Sequence, residues 1–185
     1  MSKKVLIAVA NGFEEIEFVT PVDILRRAGL NVTIAVSGDC NMVVGAHGIT
    51  IKGDKFLNEV LSEDYDLVMC PGGMECAIKL GKDQNLLKIL HETKKKGKII
   101  ASICASPVIV FEKNGLLSDV EKAVSYPSMM SELARPDSAN SAVCVSSNVV
   151  TSQGPGTSVS FGLKLVEMLC GLEQSNLIAD SIVAA

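Results

Sequence analysis

Three short stretches of this chain combine residue types that could do chemistry together. KIIASICASP, Lys98 to Pro107, runs an apolar strand pattern into Cys104 and then into a helix start. A thiol at such a strand-to-helix corner projects from the sheet edge with the positive end of the next helix just beyond it, where thiolates are held. That placement makes Cys104 a nucleophile candidate, as serine is in the elbow of hydrolases; the plain alternative is one more small buried hydrophobe, like Cys70 and Cys170. Pro71-Gly72-Gly73 follows another buried strand, DLVMC. Two glycines there let the backbone approach a ligand and turn successive N–H groups inward, so that with the N–H of Ala105 they could form an oxyanion hole, or they could simply be a turn. Glu14, Glu15 and Glu17 open a helix. Acidic residues suit a first turn for dipole reasons alone, so at least two of the three are expected to be solvated caps. Glu17, between Ile16 and Phe18, is the one with a buried position open to it. A buried carboxyl beside a thiolate would be held protonated by desolvation and like charge, and could shuttle a proton.

These residues need a scaffold that brings strand ends together, and the apolar pattern supplies one. Continuous apolar runs of strand length occur at Val5–Ala10, Val32–Val36, Asp66–Cys70 and Ile99–Ile103. Helical patterns follow at Glu14–Ala28, near Leu57–Leu61, at Leu86–Lys95 and after Cys104 to Asn114-Gly115. A weaker strand pair lies around Met42–Val44 and Ile49–Ile51. Late strands near Val143–Val145 and Val149–Thr151 precede a helix, Thr157–Leu169, closed by Gly171. Strands apolar on both faces, each followed by a helix, predict a mostly parallel central sheet with helices on both faces, an α/β sandwich. In such sheets ligands bind outside the carboxyl ends of the strands, so the three junctions should face one crevice.

Length and composition limit what that crevice serves. The 185 residues fit one domain, residues 1–185, and 48% hydrophobic with 21% charged residues is the composition of a packed globular chain. A net charge of −4 argues against nucleic acid or an anionic membrane as partner, and the one basic run, Lys94-Lys95-Lys96, sits where cations complement a helix end. No signal h-region follows Lys3-Lys4 and no window approaches a membrane span, so a cytoplasmic protein is expected. Six cysteines without C-x-x-C spacing read as reduced thiols. Two distant histidines supply no metal-ligand spacing, and neither a metal nor a cofactor is expected.

Five blocks, in order, resemble the ThiJ/PfpI superfamily and its parkinsonism-associated deglycase (DJ-one) branch: EEIEFVTPVDILRRAG, the PGG at 71–73, ASICASP, SYPSM at 125–129 and TSQGPGTSVSFGLKLVE at 151–167. The resemblance implies a flavodoxin-like, class I glutamine amidotransferase-like domain, usually homodimeric through the first long helix. It implies Cys104 as nucleophile, Glu17 as the protonated glutamate beside it, and Gly72 and Gly73 as oxyanion-hole backbone. Tyr126, Pro127, Gly154 and Pro155 would line the site. The chain also departs from the pattern: Tyr126 stands where many relatives have histidine, His47 where they have arginine near the dimer interface, and Ser106 where glycine is common. A Cys-His protease mechanism therefore lacks its base, while the Cys-Glu pair is intact. The expectation is a cofactor-independent glyoxalase or deglycase acting on methylglyoxal, glyoxal or their early protein adducts. The competing reading is a redox sensor or chaperone whose Cys104 oxidises to sulfinic acid.

Overall fold

In the computed structural model, which describes residues 3–184, seven strands form one sheet in the order β5-β2-β1-β6-β7-β9-β8. These are β1 (Lys4–Val9), β2 (Asn31–Val36), β5 (Lys55–Phe56), β6 (Leu67–Cys70), β7 (Ile99–Ile103), β8 (Val143–Ser146) and β9 (Val149–Ser152). All neighbours pair in parallel except β8 with β9. The remaining two, β3 (Met42–Val44) and β4 (Thr50–Lys52), make a separate antiparallel hairpin. Val5 through Ala10 are fully buried, and all five residues of β7 are buried, which is why these runs carry no polar alternation. Each large apolar side chain so buried contributes about 1.5–3 kcal/mol.

Among the described residues five α-helices surround the sheet: α1 (Glu15–Arg27), α2 (Met74–Leu80), α3 (Gln84–Lys95), α4 (Ser158–Cys170) and α5 (Leu172–Ser181). Helix α1 packs on α4 and α4 on α5, while α3 lies against β6 and β7. The arrangement is the flavodoxin-like α/β sandwich expected. Chain order reverses at β1, with β2 on one side and β6 on the other. The carboxyl ends of β1, β6 and β7 therefore open on one crevice at the reversal.

Several elements differ from the sequence reading, each for a local reason. Helix α2 was not foreseen, because its N-cap is Gly73 at φ 82 with no side-chain cap to mark it. Neither was α5, which starts directly after Gly171 and also lacks a side-chain cap. The stretch after Cys104 is not an α-helix but a π-helical turn, Pro107–Phe111, followed by a 3₁₀ turn, Glu112–Asn114. Its Val108-Ile109-Val110 run is β-branched and poorly suited to a regular helix. All six cysteines are free, yet Cys170 is exposed rather than buried, since it ends α4 at the Gly171 turn. No helix among the described residues is long and apolar enough to cross a membrane.

Candidate active site

The elbow is built by backbone geometry. Cys104 has φ 64, a left-handed conformation that costs a non-glycine residue about 1–2 kcal/mol. Three hydrogen bonds hold it there: its N–H donates to the Ser152 carbonyl (3.0 Å), and its own carbonyl accepts from Ser125 Oγ (2.6 Å) and the Tyr126 N–H (2.8 Å). The thiol is thereby left half-buried at the carboxyl end of β7.

Glu17 reaches the same point from α1. Its N–H donates to the capping carboxylate of Glu14 (2.7 Å), and its own carboxyl is fully buried. Pro21, inside α1, supplies no N–H to the Glu17 carbonyl one turn earlier. The Gly72 N–H donates to Glu17 Oε2 (2.9 Å), while Oε1 has no hydrogen-bond partner. The glycines leave room for this. A Cβ on Gly72 would stand 2.3 Å from Glu17 Oε2 and 2.6 Å from Cys104 Cβ, and one on Gly73, at φ 82, would stand 2.1 Å from the Gly12 carbonyl. Gly72 is therefore required by close approach, and Gly73 by close approach and conformation together.

The carboxyl and the thiol lie close enough that each shifts the other's titration. Burial pushes the Glu17 carboxyl up from 4.5 to about 7; the Cys104 thiol opposes this, the Glu14 charge adds to it, and the Gly72 N–H opposes it again. Burial also pushes the thiol up, to about 12, and the Glu17 carboxylate reinforces the rise, against the Gly73 and Ala105 N–H groups. This corrects the expectation that the following helix lowers the thiol. A five-residue π turn begun by a proline offers little dipole, and a carboxylate beside the sulfur outweighs it. The pair titrates as a unit, and a thiolate near neutral pH requires Glu17 to carry the proton.

The DJ-1/PfpI family profile matches residues 3–168. The chain belongs to the DJ-1/PfpI family. It is 37% identical over 171 residues to Protein DJ-1 homolog B of Arabidopsis thaliana, covering 92% of this chain but only 39% of that protein. Against homolog A the share of the relative is 44%, so the chain spans less than half the length of both plant proteins. It is 33% identical over 172 residues to "Glutathione-independent glyoxalase DJR-1.2" of Caenorhabditis elegans, covering 93% of this chain and 91% of that one. The solved structure "Toxoplasma gondii DJ-1, oxidized" superposes with a TM-score of 0.96 at 41% identity, covering 100% of both chains.

In this DJ-1/PfpI chain the structure brings together Cys104, Glu17, Gly72, Gly73 and Ala105. Gly154 and Tyr126 join them: a Cβ on Gly154 would lie 3.4 Å from the Tyr126 ring and 3.9 Å from Glu17 Oε1. Tyr126 is 45% exposed, an aromatic rim where an imidazole was absent from the sequence. Pro127 and Pro155 begin short 3₁₀ turns next to these two in the chain. The Gly72 N–H, read from sequence as an oxyanion donor, is taken by Glu17, and the Gly73 and Ala105 N–H groups are those directed at the sulfur. Sequence reasoning passed over Ser125, whose only mark was its place in SYPSM, and noted Ser106 solely as a departure.

The other first-turn carboxylate also departs from expectation. Glu15 is buried, and its oxygens accept from the His47 N–H (2.7 Å), His47 Nδ1 (2.8 Å) and the Ile49 N–H (3.4 Å). It is no solvated cap, because the β3–β4 turn folds down onto it. Glu14, Glu15 and His47 bring one oxygen or nitrogen atom each within 4.8 Å of one another, a cluster whose Glu15 and His47 atoms are hydrogen-bonded to each other. The surface cleft of about 260 Å³ between α2 and the π turn, lined by Ile78, Lys82 and Ile109 among others, lies away from the Cys104–Glu17 pair.

Proposed function

We propose that the Cys104–Glu17 pair catalyses glyoxalase or deglycase chemistry on methylglyoxal, glyoxal or their early adducts with protein and small amines. The observation that carries this reading is a thiol set beside a buried carboxyl that can hold a proton near neutral pH, with Tyr126 rather than an imidazole next to them. The glyoxalase name of the nematode relative supports it. With the proton on Glu17, the Cys104 thiolate adds to the aldehyde carbon and gives a hemithioacetal. Glu17 then moves a proton from that carbon to the neighbouring one, and the Gly73 and Ala105 N–H groups stabilise the oxyanion. Water hydrolyses the resulting thioester, so dicarbonyl plus water becomes a hydroxy acid and the thiol is restored. On adducts the thiolate attacks the carbinol centre and expels the amine. Thiol and carboxyl supply nucleophile and proton carrier, so the scheme calls on no cofactor. Hydroxy-acid release by Cys104→Ser and Glu17→Gln tests it: both should lose turnover, and undiminished release from either defeats the assignment.

A second reading, a redox sensor or chaperone, draws on the relative described as oxidized. A half-buried thiol next to a hydrogen-bond donor suits arrest at sulfinic acid. Selective gain of two oxygens on Cys104 under graded peroxide, with negligible methylglyoxal turnover, would favour it. For either role the assembly we favour is a homodimer through α1, supported by exposed Ile16 (53%) and Val19 (45%) on that helix and by exposed Val44 and Ile49 on the hairpin.

A further inference from the structure

The residue at the start of the π turn does something other than cap it. Ser106 is fully buried and makes no side-chain hydrogen bond to the turn it precedes. Its Oγ donates instead to the Pro71 carbonyl, 2.5 Å away across the crevice. That carbonyl and the Gly72 N–H belong to one peptide unit, and the Gly72 N–H is the donor that holds Glu17 Oε2 at 2.9 Å. The result is a continuous relay: Ser106 hydroxyl, Pro71–Gly72 peptide, Glu17 carboxyl. A hydrogen bond accepted by a peptide carbonyl polarises its N–H and strengthens the bond that N–H donates. It also fixes the tilt of the peptide plane, on which the aim of the N–H depends.

We propose that Ser106 is a positioning residue that sets the proton affinity of Glu17 through the Pro71–Gly72 peptide, and so sets how the Cys104–Glu17 pair shares its proton. Its hydroxyl touches neither the sulfur nor the carboxyl. The charged and titratable groups facing Glu17 are Cys104 from the elbow, Glu14 from its own helix and Cys76 from α2, and none of them can replace a backbone donor. Because the Gly72 N–H favours the ionised carboxylate, weakening it raises the affinity of Glu17 for the proton. More protonated Glu17 means more Cys104 thiolate at the same pH.

This inference rests on the Cys104–Glu17 pairing but not on turnover, so its test separates from that of the proposed activity. In the full chain, the Glu17 carboxyl is titrated by carbon NMR, its signal assigned by loss in Glu17→Gln, and iodoacetamide alkylation of Cys104 is timed at pH 7. Ser106→Ala should move the Glu17 midpoint upward by roughly half a pH unit, since polarisation alters such bonds by about 10–30% and loss of aim adds to that. Alkylation at pH 7 should quicken about 1.5-fold, the rise in proton occupancy of a group whose midpoint moves up by roughly half a unit from about 7. Ser106→Thr should restore both values, and adding Ser106→Ala to Glu17→Gln should change alkylation no further. A fall in melting temperature with the midpoint unmoved would reduce Ser106 to a packing role and overturn the proposal. An alkylation change that persists in the Glu17→Gln background would overturn it too. Should Ser106→Ala not fold, Ser106→Gly is read by the same two measurements.

Discussion

Glu15 and Glu17 stand two residues apart on one helix, both buried, both seated against a glycine, yet their charge states diverge. Burial pushes both up. At Glu15 the His47 side chain and the His47 and Ile49 N–H groups overcome it, so its carboxyl ends below 4.5. At Glu17 one backbone donor and a thiol do not, and the carboxyl rises to about 7. Two things set the charge states apart: Glu17 sits deeper in the fold than Glu15, and fewer N–H donors reach it, so one carboxyl is a structural anion and the other a proton carrier. The β3–β4 turn supplies donors freely; the Gly72 corner supplies one and leaves Glu17 Oε1 without a partner.

Exchanging the two roles should give the largest effect. Glu17→Gln removes the proton carrier and should lower kcat for hydroxy-acid release by about 10²–10⁴-fold, the range of general acid–base contributions. Glu15→Gln should leave kcat within about threefold, because Glu15 meets no reacting group. Equal losses in the two variants, measured as lactate formed from methylglyoxal, would erase the distinction.

Stability against pH should sharpen it next, with opposite signs. Below 4.5 both the folded and unfolded chain carry a proton on residue 17; from 4.5 to about 7 only the folded chain does. Stability from this group is therefore complete in acid and lost as pH rises through about 7. Moving a carboxyl from 4.5 to about 7 corresponds to roughly 3 kcal/mol, so Glu17→Gln should gain about that much on wild type between pH 4 and pH 8 in urea titrations. Glu15 behaves inversely. Its contribution is present above 4.5 and lost as pH falls through its lowered value, so Glu15→Gln should lose its deficit only in acid.

The glycines under the two carboxylates give a smaller contrast. A Cβ on Gly45 would stand 2.3 Å from Glu15 Oε1, matching the 2.3 Å of Gly72 to Glu17 Oε2, but Gly72 also has Cys104 Cβ and the Ile103 carbonyl (3.1 Å) behind it. Gly72→Ala should cost about 2–3 kcal/mol by overpacking, and Gly45→Ala about 1, because a hairpin turn can shift where a strand junction cannot. Melting temperatures of the two variants check the order.

How much of this was legible depends on whether the information is local. Strands β1, β6 and β7 show as apolar runs, and the junctions after them point to Cys104, Gly72-Gly73 and Glu17. Legibility ends where distant segments meet. That Glu15 is buried depends on the turn around His47, 32 residues away, folding onto it, and nothing near Glu15 announces that. The lift of the thiol comes from its burial and then from Glu17, 87 residues earlier in the chain. The Ser106 relay joins loops 35 residues apart through a carbonyl that has no sequence signature. The π turn was missed because Pro107 imitates a regular helix start.

His47 should show the smallest effect, and it tests the donor side of that contrast. The bond to Glu15 and that carboxylate's charge hold the imidazole above its ordinary 6.5, although the ring is largely exposed. A raised histidine contributes stability that is full below 6.5 and disappears as pH rises through its folded value, so His47→Ala should melt below wild type at pH 5.5 and approach it by pH 9. The residual gap at pH 9 would reflect only the neutral ring's hydrogen bond, because the backbone N–H of residue 47 still donates to Glu15 in the variant. Raising salt from 0.05 to 1 M at pH 5.5 should shrink the gap, since an exposed ion pair is screened. A gap that is constant from pH 5.5 to 9 would mean that the two backbone N–H groups alone keep Glu15 ionised, and the contrast with Glu17 would then rest on main-chain donors.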